Sequence, residues 1–114
     1  MKQTPEGIEL YEDGNSVFFY QKEPKRVSEK YSYNNYLHPV CNLKGEIITE
    51  EYPPDHLNHR GIFWAWHQLY IDDQNIGDGW MMENISEEVA DVKTKINNKN
   101  VQLNTRVLWK SSLW

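Results

Sequence analysis

The sequence predicts an all-β protein built as an antiparallel β-sandwich. Five tryptophans, seven tyrosines and three phenylalanines are a heavy aromatic load for 114 residues, and such side chains favour pleated, half-buried surfaces. Runs of strand length end at turn signals such as Asp13-Gly14, which is typical of hairpins. From Val101 to Trp109, apolar residues alternate with polar ones until Leu108 interrupts the pattern. That period of two is typical of a half-buried strand.

Most predicted elements are hairpins. Asp13-Gly14 lies at the centre of the first, Lys44-Gly45 turns the second, and Asn97 to Asn100 connect the strands of the last. The predicted elements are a hairpin over Gly7–Tyr20, strands over Tyr31–Leu43 and Glu46–Glu50, a strand over Ile62–Ile71, a short strand over Trp80–Ile85, a helical turn over Ser86–Ala90, and a hairpin over Val92–Trp109.

The chain length fits a single domain over residues 1–114. The sequence stops at Trp114, just after a predicted core strand. We therefore expect an N-terminal fragment of a longer domain. The start of the chain has no apolar stretch of a signal peptide, and a cytoplasmic and a periplasmic location both stay open. The only cysteine, Cys41, cannot form an internal disulfide, and we interpret it as a small buried hydrophobe.

Charge and hydropathy exclude two classes of partner. The net charge is −5 and no basic cluster exceeds the short stretch with Lys22, Lys25 and Arg26. Nucleic acid is therefore not the expected partner, because phosphate binding needs a basic face. The longest apolar run, Ile62 to Trp66, is far shorter than the roughly 20 residues of a membrane-spanning helix. We expect no membrane insertion.

Polar chemistry is concentrated between Asp55 and His67. His56 and His59 are candidate catalytic residues, since histidine transfers protons near neutral pH. Asp55 and Arg60 are candidate substrate-binding residues, and the planar fork of Arg60 suits a carboxylate, a phosphate or a hydroxyl pair. Two alternatives stay open: His56 and His59 share a metal ion, or the loop is a solvated surface on which Asp55 pairs with Arg60.

The segment after this loop supplies the other candidates. His67 is a candidate catalytic residue that points into the same cleft if residues 62–71 form one strand. Trp64 is a candidate substrate-binding residue, with an aromatic face for a sugar, although large aromatics lie in cores more often. Asp78 is a candidate substrate-binding residue and Glu83 a candidate catalytic carboxylate, placed opposite the histidines. A solvated acidic loop is the alternative for Asp78 and Glu83.

Four segments together resemble the bacterial PmoA-like family, also called methane oxygenase PmoA: Tyr33–Val40, Lys44–Glu50, Asp55–His67 and Gly77–Trp80. The usual motif of that family reads Asp-His-Pro-His-His-Arg-Gly, and here Leu57 and Asn58 replace its Pro-His pair. The resemblance implies a longer full-length protein and a β-sandwich of the galactose-mutarotase supersandwich type, a fold common among sugar-processing proteins. The family name implies a metal-dependent oxygenase.

We therefore expect a carbohydrate-active protein that performs acid–base chemistry on a small-molecule sugar, with a histidine as general acid and Glu83 or Asp78 as base. A non-catalytic sugar-binding module and a metal-dependent oxygenase or hydrolase are the alternatives. The sequence names no cofactor. Exposure of Trp64 and Trp66 distinguishes a stacking platform from an ordinary core.

Overall fold

The computed structural model describes residues 1–114 and confirms the all-β prediction, since every regular element is a strand and all pairings are antiparallel. A five-stranded sheet has the order β1-β2-β3-β6-β7, and three two-stranded sheets pair β4 with β5, β8 with β9, and β10 with β11. The strands are β1 (Lys2–Gln3), β2 (Gly7–Glu12), β3 (Asn15–Gln21), β4 (Lys25–Arg26), β5 (Ser32–Tyr33), β6 (Tyr36–Val40), β7 (Ile62–Phe63), β8 (Leu69–Ile71), β9 (Gln74–Gly77), β10 (Ile85–Ile96) and β11 (Val101–Ser111).

The first and last predicted hairpins are confirmed. β2 and β3 meet around Asp13-Gly14, where both residues have positive φ (49° and 79°) as this turn requires. β10 and β11 form a ribbon of 12 and 11 residues, longer than predicted. Its β10 strand begins at Ile85, so the predicted helical turn over residues 86–90 is wrong. Cross-strand pairing along β11 outweighs the local preference of a capped polar turn.

Four other predicted strands also differ from the structure. The predicted strand over Tyr31–Leu43 is divided into β5 and β6, and most of the predicted strand over Trp80–Ile85 is a turn that precedes β10. Residues 62–71 form β7 and β8, which belong to different sheets, so one continuous strand is wrong. Residues 46–50 contribute a single bridge between Cys41 and Ile47 rather than a strand. Cys41 is half-buried. The chain leaves the five-stranded sheet after Phe63, and Trp64 to His67 lie outside any strand.

Gly61 is required where the loop enters β7. Its φ is +57°, and a Cβ at this position would lie 2.0 Å from the carbonyl oxygen of Leu37. Only glycine tolerates both the conformation and this close approach. β7 can therefore pair with β6 at the edge of the sheet.

A polar network connects the five-stranded sheet with the ribbon. The Tyr20 hydroxyl donates to Asn35 Oδ1 (2.8 Å), and Asn35 Nδ2 donates to Glu87 Oε2 on β10 (2.8 Å). Asn34 Nδ2 donates to the main-chain oxygen of Glu87 at 2.9 Å. All four residues are buried. Since an unpaired buried polar group costs about 1–3 kcal/mol, these bonds fix the position of β10 over the sheet.

The core is small. Only 14 of 114 residues are buried, and the apolar ones are Ile8, Tyr20, Tyr33, Tyr36, Ile76 and Ile85. Tyrosines therefore supply half of the buried apolar residues. The hydroxyls of Tyr20 and Tyr36 have hydrogen-bond partners, whereas the hydroxyl of Tyr33 is buried without one. No helix of the structure is long and apolar enough to cross a membrane.

We predict that Glu87→Gln weakens the pH dependence of stability. Burial raises the pKa of Glu87 above its ordinary value of 4.5. Its folded form therefore binds a proton more tightly, and the free energy of unfolding falls as pH rises from about 4.5 through the folded pKa. Urea denaturation at a series of pH values measures this fall, which we expect to be smaller in Glu87→Gln.

Glu88→Gln is the matched control on the neighbouring, exposed position. The Lys110 ammonium beside Glu88 lowers the pKa of that carboxyl, so its contribution is present above the unfolded pKa and lost as pH falls. Glu88→Gln therefore changes the pH dependence of the free energy of unfolding in the opposite direction to Glu87→Gln. Equal profiles for Glu87→Gln and the unmodified protein would contradict the role assigned to the buried carboxyl.

Candidate functional site

The loop over residues 51–61 is closed by main-chain hydrogen bonds. The amide of Tyr52 donates to the carbonyl of His59 (2.8 Å), and the amide of Gly61 donates to the carbonyl of Glu50 (2.7 Å). Within the loop, the amide of His59 donates to the carbonyl of His56 at 2.9 Å. Pro53 and Pro54 have no amide hydrogen to donate. Few main-chain hydrogen bonds therefore hold the tip of the loop.

Asp55 and His56 lie at the tip of this loop and are exposed. Their side chains form a pair at 3.3 Å between Oδ2 and Nδ1, with exposed fractions of 79% and 71%. Such an exposed pair contributes little stability. The structure thus pairs Asp55 with its neighbour His56. The alternative in which Asp55 pairs with Arg60 on a solvated surface is wrong, because Arg60 is buried.

His59 lies on another side of the loop. It lines an open cleft of about 540 Å³ together with Thr49, Ile48 and Gly61. Neither His67 nor Asp78 lines that cleft. The three candidate histidines therefore do not share one cleft, and no group of three histidine, cysteine or carboxylate side chains is arranged to hold a metal ion.

Arg60 occupies a different position from the expected one. It is 1% exposed, and its guanidinium lies between the rings of Tyr33 and Phe63, at 4.3 and 4.1 Å from their centroids. Desolvation lowers the pKa of Arg60, although an arginine stays charged. Because the guanidinium is enclosed, it is not accessible to a ligand. The predicted contact of Arg60 with a substrate is therefore replaced by contacts within the protein.

His67 and Asp78 form the best-defined pair of candidate residues. His67 Nδ1 lies 2.9 Å from Asp78 Oδ2, and the exposed fractions of their side chains are 62% and 16%. The other carboxylate oxygen, Oδ1, accepts from the amides of Trp80 (2.8 Å) and Met81 (3.1 Å). Asp78 is thus fixed by the main chain of its own turn, and the side chain of His67 is largely exposed.

One aromatic ring lies beside this pair, and others lie on the neighbouring segment. The Trp80 ring lies 5.5 Å from the His67 ring, centroid to centroid, and Trp66 packs edge-on against Trp109 at 5.2 Å. The amide of Gly79 donates to the carbonyl of Trp66 (2.9 Å), which brings the two tryptophan-bearing segments together.

The tryptophans of this region are exposed rather than buried. Trp64, Trp66 and Trp80 have exposed fractions of 53%, 66% and 47%. The interpretation of Trp64 and Trp66 as ordinary core is therefore wrong. Both lie in the segment between β7 and β8, which belongs to no sheet.

Glu83 lies at the far end of the same turn as Asp78. Its main chain pairs with that of Asp78 through two hydrogen bonds of 2.9 Å. Its side chain is exposed. His67, Asp78 and Glu83 therefore belong to one region, and Arg60 is connected to it through the carbonyls of Gly79 and Trp80. Asp55, His56 and His59 lie on the loop over residues 51–61.

A second polar cluster escaped the sequence interpretation. The Tyr36 hydroxyl contacts Glu51 Oε1 (2.5 Å) and the Tyr52 hydroxyl (2.7 Å), and Lys25 Nζ reaches both Glu51 oxygens at 2.9 Å. Burial raises the pKa of Tyr52 to about 12, and burial also lowers the pKa of His38. Three separate segments supply these residues, around Lys25, Tyr36 and Glu51, and no local motif marks them.

One comparison with known proteins gives a match. A family model described as "Family of unknown function (DUF6807)" matches residues 7–112. No curated protein and no solved structure matches the chain.

We predict that Asp78→Ala lowers the free energy of unfolding by about 1 kcal/mol, the usual cost of losing a side-chain oxygen that accepts from main-chain amides at a cap or turn. Asp55→Ala is the matched control, because it removes an exposed carboxylate whose loss changes stability by less than about 0.5 kcal/mol. Urea denaturation of both variants measures the difference. Equal losses would show that the turn does not depend on Asp78.

Proposed function

The chain belongs to DUF6807, a family of unknown function, and we propose that it is a carbohydrate-active protein in which His67 performs acid–base chemistry on a small-molecule sugar. The observation that carries this proposal is the contact of His67 Nδ1 with Asp78 Oδ2 (2.9 Å) beside the exposed ring of Trp80. This contact places a proton-transfer group next to an aromatic ring of the kind that binds sugars.

The pairing with Asp78 equips His67 for proton transfer. An ionised carboxylate only accepts hydrogen bonds, so the Nδ1 atom of His67 carries the proton that faces Asp78. In the neutral ring, Nε2 is then the free base. A carboxylate that fixes the tautomer and orientation of an imidazole serves the same purpose in catalytic triads.

The aromatic surface supplies the binding energy in this proposal. The face of an indole ring carries negative charge density and attracts the weakly positive C–H groups of a sugar ring. Trp80 is placed to hold a sugar beside His67, because their rings are 5.5 Å apart. Trp66 is the most exposed of the three tryptophans of this region and extends the surface.

Glu83 is the carboxylate that remains available as the second group. Both oxygens of Asp78 already have partners in His67 and the main chain. Glu83 is exposed at the other end of the same turn. We therefore assign His67 and Glu83 as the acid–base pair and Asp78 as the residue that orients His67.

A non-catalytic sugar-binding module is the second candidate. The exposure of Trp64, Trp66 and Trp80 favours it, since rings that are not covered by the protein can bind sugars without any reaction. In this alternative, sugar binding depends on the tryptophans and not on His67.

We predict that His67→Ala lowers kcat/KM by about 10²- to 10⁴-fold, the usual contribution of general acid–base catalysis. The measurement is the rate of anomer interconversion or glycoside hydrolysis by the unmodified protein over a panel of monosaccharides and aryl glycosides. His56→Ala and His59→Ala are the matched variants. We expect them to keep their activity, because His56 pairs with Asp55 and His59 lines a cleft that includes neither His67 nor Asp78.

Three outcomes separate the candidates. Loss of activity in His56→Ala or His59→Ala alone would move the reaction to the loop. Sugar binding without turnover, retained in His67→Ala, would identify a binding module. Neither binding nor turnover with any sugar of the panel would refute the proposal.

We also predict that Trp80→Ala weakens sugar binding by about tenfold. A favourable aromatic contact contributes about 0.5–1.5 kcal/mol beyond its buried area, and 1.4 kcal/mol corresponds to a factor of about ten. Isothermal titration with the best sugar of the panel measures the change, and Trp114→Ala is the matched control on an exposed tryptophan outside the site. Equal affinities in both variants would exclude Trp80 as the platform.

A further inference from the structure

The Arg60 side chain spans two segments that carry site residues. Its Nη1 atom donates to the carbonyl of Asn58 (2.7 Å) in the preceding loop and to the carbonyl of Trp80 (3.0 Å). Its Nη2 atom donates to the carbonyl of Gly79 at 3.3 Å. One guanidinium therefore binds two consecutive peptide groups of the turn that begins with Asp78.

The position of this guanidinium is itself fixed. Tyr33 lies over one side of it and Phe63 also contacts it, with centroid distances of 4.3 and 4.1 Å. The residue is 1% exposed. A buried cation is costly unless polar groups and ring faces compensate it. Three carbonyls and two rings compensate the guanidinium here, although Nε has no hydrogen-bond partner.

The turn it holds carries the two residues that contact the His67 ring, Asp78 and Trp80. Asp78 Oδ2 faces His67 Nδ1, and the amide of Trp80 donates to Asp78 Oδ1 from a residue whose carbonyl binds Arg60. The Trp80 ring also lies beside the His67 ring. A shift of this turn therefore moves the carboxylate and the indole together, away from the imidazole.

We infer that Arg60 is a positioning residue: its buried guanidinium clamps the Asp78–Trp80 turn onto the preceding loop and thereby keeps Asp78 on His67. This inference deepens the proposed function and rests on it for its catalytic meaning. The contact between Asp78 and His67 exists without any sugar, so the clamp is testable separately. Arg60 acts through the turn and touches no substrate.

Lysine cannot replace Arg60 in this arrangement. The planar guanidinium directs several N–H groups at fixed angles, whereas a lysine ammonium concentrates its three donors on one atom. A single atom cannot reach the carbonyls of Asn58, Gly79 and Trp80 in the same geometry. The ammonium also stacks less well between two rings. Arg60→Lys thus preserves the charge and removes the clamp.

The tautomer of His67 reports the clamp directly. Two-bond proton–nitrogen NMR spectra of the imidazole distinguish the Nδ1–H form from the Nε2–H form in the protein without ligand. We expect the unmodified protein to hold neutral His67 as Nδ1–H, because Asp78 only accepts. We expect Arg60→Lys to lose that preference and Arg106→Lys, on an exposed position of β11, to retain it.

Two further variants test the role of Arg60 without relying on Arg60→Lys alone. Phe63→Leu removes one ring from the guanidinium and retains apolar volume, so it loosens the clamp if Arg60→Lys fails to fold. Asp78→Asn supplies the reference spectrum for a lost carboxylate. A folded Arg60→Lys or Phe63→Leu protein with an unchanged Nδ1–H form would overturn the inference, since a purely structural arginine lowers stability without altering the tautomer.

Activity provides the second measurement. With a sugar that the unmodified protein converts, we expect Arg60→Lys to lower kcat about a hundredfold, because a misplacement of about 1 Å costs about that factor. A changed tautomer with no sugar turned over by the unmodified protein would refute the proposed function and leave the clamp intact. An unchanged tautomer beside a working reaction would refute the clamp alone.

Discussion

The buried guanidinium of Arg60 is the interaction on which the candidate site depends. It binds main-chain carbonyls of two segments that are distant in the sequence, at Asn58 and at Gly79 and Trp80. Both segments are short, and neither belongs to a long strand. A small core with few buried residues cannot hold such turns by apolar packing alone. Directed, charge-assisted hydrogen bonds therefore hold these turns in place.

Polar contacts position the rest of the fold in the same way. Tyr20, Asn35 and Glu87 connect the sheet with the ribbon through a chain of side-chain hydrogen bonds. Such networks specify one arrangement because each member loses its partner if the layers slide. The segment from Trp64 to His67 lies outside the strands that this network connects, and it exposes its tryptophan rings. Such an exposed polar–aromatic surface suits ligand binding.

The sequence predicts the parts of this fold that local patterns encode. Alternation along β11 and the turn at Asp13-Gly14 were sufficient for two hairpins, because side-chain period and positive φ are local properties. Composition also predicts candidate site residues between Asp55 and His67 and at Asp78. It did not distinguish buried Arg60 from exposed His56, since the burial of a loop residue depends on partners such as Tyr33 that are far away in the sequence. The resemblance to the PmoA-like family and the supersandwich fold stay predictions.

Chemical-shift mapping during a sugar titration tests the central claim most directly. The indole signals of Trp64, Trp66 and Trp80 and the imidazole signals of the four histidines are assigned and followed in one experiment. The proposed site predicts that a binding sugar shifts the signals of Trp80 and His67 and leaves those of His56 unchanged. Shifts confined to His56 and His59, with Trp80 and His67 unaffected, would contradict it.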